Sequence, residues 1–90
     1  MTQKQALDRI YNDLQAGKTY GKDFLNVRYP FFDTCLFLTS RGNIGYRHYG
    51  ESAVKNTKKA LAWTITVIFK LSPVDFLKVY YRNTESVCKY

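Results

Sequence analysis

Carboxylates are scarce in this 90-residue chain: seven Asp and Glu face fourteen Lys and Arg, a net charge of +7. The acids are scattered, and no two share a spacing that suggests acid–base pairing or a carboxylate metal site. Histidine occurs once, His48, and cysteine twice, Cys35 and Cys88. One imidazole and two thiols cannot supply four zinc ligands at useful spacing, and two cysteines are too few for the disulfide framework of a small secreted domain. Long apolar runs are missing too. The longest, residues 60–69, contains two threonines and is closed by Lys59 and Lys70, far short of the roughly 20 residues that span a bilayer. The N-terminus, Met-Thr-Gln-Lys-Gln-Ala-Leu-Asp, lacks the apolar core of a signal peptide. Gly17-Lys18-Thr19 matches only the end of a phosphate-binding loop, because position 12 is Asn where that pattern needs Gly. These absences predict a protein that is not an enzyme, holds no metal or cofactor, crosses no membrane and resides in the cytoplasm.

What is present is ordinary for one small globular domain spanning residues 1–90: 46% apolar residues, 23% charged and fifteen aromatic rings. Thr2 and Gln5 fit a capping box, Ala6, Leu7, Ile10, Tyr11 and Leu14 recur at helical spacing, and Gly17 suits a helix end. A first helix follows over about residues 3–16. Residues 18–33 read as an irregular connection anchored by Phe24, Leu25, Val27, Phe31 and Phe32. A hairpin over 34–40 and 44–49 turns at Arg41-Gly42-Asn43. With Gly42-Asn43 as a two-residue loop, Phe37 faces His48 and Cys35 faces Gly50. Cys35 and His48 are then diagonal neighbours roughly 7–8 Å apart, beyond the reach of a thiol–imidazole pair.

Residues 60–71 alternate like a strand, yet they also fit a helix. Ser52 as a cap, and the helix start Ser72-Pro73-Val74-Asp75 just downstream, favour a long helix over 52–71. A third strand over 60–71 is the alternative. Phe76, Leu77, Tyr80 and Tyr81 line a short last helix, and the tail frays from Asn83. The expected fold class is α+β: an N-terminal helix, a β-hairpin, a long helix and a short C-terminal helix.

The charge is uneven. Residues 35–71 hold six basic groups and one acid, +5 of the total +7, and such a local field raises encounter rates with polyanions. Within it, Arg41, Arg47 and Tyr49 belong to the hairpin, while Lys55, Lys59, Trp63 and Lys70 gather on one face of the helix reading. Arg forks onto phosphates or carboxylates, Lys offers a point charge, and Tyr or Trp a stacking surface. These seven are the candidate binding residues. The competing reading keeps the lysines as a solvated face and Trp63 as core.

Gly45-Tyr46-Arg47-His48-Tyr49-Gly50-Glu51-Ser52-Ala53 and the later Ser72-Pro73-Val74-Asp75-Phe76-Leu77 give the chain a layout that resembles the anti-CRISPR proteins of phages and mobile elements. The resemblance is one of size, composition and layout over the whole chain. That group shares no common fold or active-site pattern, so it assigns no residue a role. Many members are acidic DNA mimics, which a +7 chain cannot be. The resemblance implies instead an inhibitor in the host cytoplasm, gripping guide RNA, target nucleic acid or an acidic face of a nucleic-acid-processing defence complex. A direct DNA- or RNA-binding regulatory module is the other expectation.

Overall fold

The computed structural model describes residues 1–22 and 34–83. The anchors expected at Phe24, Leu25, Val27, Phe31 and Phe32, together with Cys88, lie outside the described residues. Helix α1, Gln3–Gln15, begins with the predicted capping box: Thr2 Oγ1 accepts from the Gln5 amide, and the Gln5 side chain accepts from the Thr2 amide. It buries Ala6, Ile10 and Leu14, and Gly17 follows its end in the left-handed region at φ 83°. Strand β1, Thr19–Gly21, occupies what the sequence suggests is an irregular connection. Strands β2, Thr34–Leu38, and β3, Ile44–His48, form the expected hairpin. Strand β4, Glu51–Val54, folds back along β3.

Helix α2, Lys58–Trp63, continues as a π-helical turn over Thr64–Ile68. Helix α3, Pro73–Val79, is capped by Ser72 with Pro73 in its first turn and Asp75 in the predicted acidic position. Helix α3 ends before Tyr80, so Tyr81, expected on the last helix, instead opens strand β5, Tyr81–Asn83, which pairs with β1 and includes Asn83, the expected start of a frayed tail. The class is α+β, with all strands in one antiparallel sheet of order β4-β3-β2-β1-β5.

Further details differ from the sequence reading. The second helix starts at Lys58, not at 52, because Thr57 supplies the cap and Gly50 turns residues 51–54 back onto β3. No third strand forms over 60–71, where residues up to Ile68 are helical. The hairpin register is also shifted: Thr34 faces His48 and Cys35 faces Arg47. Its loop is five residues long because the Thr39 hydroxyl takes the Asn43 amide, while the Thr39 amide bonds the Asn43 carbonyl at 2.8 Å. The shift is odd, so partners change faces.

One face of the sheet carries Tyr20, Leu36, Ile44, Tyr46 and His48 toward the helices. Phe69 packs edge-on against Tyr46 and His48, at ring distances of 6.3 and 5.4 Å, and against Phe76 and Tyr80. Each such ring removes roughly 150–250 Å² from water, so this aromatic cluster supplies much of a small core. On the opposite face Cys35 and Phe37 are also buried. Gly45 is required beneath Phe37, since a Cβ there would lie 2.5 Å from its ring.

A polar anchor joins α1 to the sheet. Asp13 is 8% exposed and accepts a 2.5 Å hydrogen bond from the Tyr20 hydroxyl, with Lys18 and Arg82 at 3.6 and 3.5 Å. Among the described residues no single helix is long and apolar enough to cross a membrane. The bent pair α2–π turn and α3, 66° apart, instead buries Leu61, Ile65, Phe69 and Phe76 against the sheet.

Candidate functional site

The sheet distributes the seven candidate residues to two ends of the molecule. The β2–β3 loop and the junction from β4 into α2 lie at one end, since Ile44 pairs with Val54. The β3–β4 turn lies at the other. The π turn finishes near it, because Phe69 reaches His48.

At the first end Lys55, Lys59 and Trp63 converge. With Thr57 and Ala60 they line one groove of about 330 Å³. Lys55 arrives from the end of a strand and the other two from α2, so the expected single helical stripe is built from two elements. Trp63 is 46% exposed, and neither lysine makes an ion pair among the described residues. Their neighbour Lys58 is committed elsewhere: it bonds Asp8 at 2.9 Å and sits over the Tyr11 ring, docking α2 on α1. Arg41 stands exposed on the β2–β3 loop. It borders a second hollow of about 320 Å³ with Thr39, Ser40, Asn43 and Ala53.

The second end holds Arg47, Tyr49 and Lys70. Arg47 differs from expectation: its side chain is only 15% exposed and donates to Glu51 at 2.6 Å, so its charge is offset in place. The cause is register, which sets Arg47 directly opposite Glu51. Tyr49 is 98% exposed at the hairpin tip with φ 58°, touching the His48 ring edge-on at 4.7 Å. Lys70 also has φ 58° and is exposed. It ends the π turn, away from the Lys55–Trp63 groove. A hollow of about 700 Å³ opens beside Tyr49, between Lys22, Thr34 and Arg47.

Cys35 and His48 come from adjacent strands at neighbouring register positions, but their side chains leave opposite faces of the sheet. His48 Nδ1 is buried and meets no hydrogen-bond partner among the described residues. No cluster of three His, Cys, Asp or Glu side chains that could hold a metal occurs among them either.

Thr57 and Ala60 were not foreseen as part of the groove. The Asn56-Thr57 pair just before Lys58 is the signal that would have found them, since Thr is a cap residue placed three before Ala60. No family model matches this chain, and no curated protein or solved structure is similar to it.

Proposed function

We propose that this chain is a non-enzymatic binding protein that docks on an acidic protein face of a nucleic-acid-processing complex, using the Arg41–Lys55–Lys59–Trp63 end. The observation behind this reading is the convergence of Lys55, Lys59 and half-exposed Trp63 on one groove, with neither lysine paired to a described carboxylate. A tryptophan left half in water beside unneutralised cations has the makings of an interface hot spot. The separation of the two basic clusters favours a protein over a nucleic-acid strand, whose backbone is usually tracked by a continuous line of cations. The anti-CRISPR resemblance supplies the biological role: an inhibitor encoded by a phage or mobile element, acting in the host cytoplasm on a defence complex.

Size-exclusion chromatography with a purified effector complex tests the reading. A stoichiometric assembly that survives nuclease treatment is expected. Trp63→Ala should weaken it by about 2 kcal/mol or more, roughly thirtyfold in Kd. The single tryptophan makes its fluorescence a direct reporter. Direct nucleic-acid binding is the competing outcome. It would show as oligonucleotide affinity falling steeply with salt, with a slope set by the phosphates neutralised, and no complex without nucleic acid.

A further inference from the structure

We propose that the element gripped is an extended acidic segment of the partner, which adds to the outer edge of β4 as a further strand of the sheet. The inference rests on the binding reading above and names the partner's chemistry. β4 pairs with β3 on one side, and among the described residues no strand pairs on its other. Glu51, Ser52 and Ala53 are exposed, and the β3–β4 ladder runs without a bulge. Of the devices that blunt edge strands, β4 has only its four-residue length and Glu51, whose charge is taken up by Arg47, and it has no proline, lysine or bulge.

Both flanks of that edge are furnished. Lys58 marks the side of α2 that faces α1. At 100° per residue, Ala60 and Trp63 fall on the opposite side of α2, away from α1. Trp63 is 46% exposed and shares its groove with Lys55, the residue that directly follows β4, so the groove adjoins one end of the open edge. On the other face of the sheet Ala53 and Arg41 border the second hollow.

Side chains of an added strand alternate between faces. Successive residues would enter the Lys55–Lys59–Trp63 groove and the Arg41 hollow in turn. Cations on both flanks select acidic residues, and Trp63 selects an apolar one among them. A second copy of this +7 chain would bring like charges together at the same edge. A nucleic acid cannot complete a ladder of alternating backbone N–H and C=O groups.

The test uses the full chain with three probes: the peptide Glu-Glu-Val-Glu-Phe-Glu-Glu, which presents acids on both faces of a strand and apolar residues on one, its lysine-for-glutamate counterpart and an oligothymidine. Backbone amide shifts and Trp63 fluorescence are followed. The acidic peptide should saturably shift Ser52, Ala53 and Val54 and move the Trp63 signal, at least tenfold more tightly than the lysine peptide. Ala53→Pro, and the double variant Lys55→Glu with Lys59→Glu, should each weaken it at least tenfold. Both altered lysines are exposed, so the double variant remains decisive if proline unfolds the protein.

Absence of acidic-peptide binding overturns the inference. So does saturation of the same signals by oligothymidine alone, or concentration-dependent loss of β4 signals without peptide, the mark of self-pairing. If a folded Ala53→Pro protein captures the effector complex as wild type does, strand addition fails while the binding role stands. If the acidic peptide binds β4 but no complex forms, the binding role fails while strand addition stands.

Discussion

The first and second helices start alike and end differently. Thr2 and Thr57 each cap by accepting the amide three residues on. α1 then runs for 13 residues and stops at Ala16, with Gly17 taking the left-handed position at φ 83°. α2 makes only 6 α-helical residues before it widens into the π turn. There Thr64 and Thr66 bond back to the carbonyls of Ala60 and Ala62, a competition with the helix ladder that loosens regular winding. The Phe69 amide reaches Thr64 O, five residues back, and the element ends with Lys70 at φ 58° instead of a glycine. α1 follows the local rules and carries none of the candidate binding residues. The second helix departs from them twice and carries Lys59 and Trp63, with Lys70 at its end. Departures from local preference tend to gather where a surface serves a partner.

The largest effects should come from the buried sides, where the two helices are equal. Ile10 in α1 and Ile65 in the π turn are both fully buried. Each Ile→Ala change should cost about 2–5 kcal/mol by chemical denaturation. A full loss at Ile10 with less than about 1 kcal/mol at Ile65 would show that the π turn relaxes into the gap, breaking the equality.

Alkali separates the two sides next. Burial, and then the hydrogen bond to Asp13, raise the Tyr20 phenol far above its ordinary value of 10.0. Tyr80, against Phe69, is raised chiefly by burial. Both folded-state values lie above the unfolded one. Their contribution is therefore complete below about pH 10 and is lost as pH climbs above it. Stability should fall there by up to about 1.4 kcal/mol per pH unit for each phenol. Tyr20→Phe and Tyr80→Phe should each flatten the decline, Tyr20→Phe the more, since both burial and the bond to Asp13 raise its phenol. Urea titrations at about pH 9 and about pH 11 read the slopes. A decline unchanged in Tyr20→Phe would show that the folded state does not hold the Tyr20 phenol above its ordinary value.

How far these elements are legible in the sequence follows from how local their causes are. α1 and α3 are written in cap, proline and 3.6-residue spacing, with Thr2, Gln5, Gly17, Ser72 and Pro73 in sight of one another along the chain. Residues 60–68 satisfy period 2 and period 3.6 together, and only what flanks them decides, the cap at Thr57 and the helix start at Ser72-Pro73. β1 and β5 have three residues each, too few for any period. β4 reads Glu-Ser-Ala-Val, without branched or aromatic alternation, and exists because β3 lies beside it. The Lys55–Lys59–Trp63 groove is partly legible, since two of its members share a helix face. The Arg47–Glu51 pair depends on the β3–β4 register, which is set by the tight turn at Tyr49-Gly50 where the His48 amide bonds the Gly50 carbonyl.

The smallest effects test the helix ends directly, and they should differ in sign. Gly17 has no atom within 4 Å of where a Cβ would lie, so Gly17→Ala tests backbone conformation alone. It should destabilise by about 1 kcal/mol, because a left-handed φ suits glycine and strains alanine. Lys70→Gly should do the opposite and stabilise by about 0.5–1 kcal/mol, since Lys70 holds φ 58° with a Cβ in place. Tyr49→Asn should leave stability unchanged or raise it slightly, as asparagine tolerates the left-handed region and the 98% exposed ring gives up little packing. Thermal melts of the three variants make the comparison. A loss at Lys70→Gly would show that the lysine side chain contributes to the fold more than its backbone angle costs. A gain would show that the left-handed angle costs more than the lysine side chain returns.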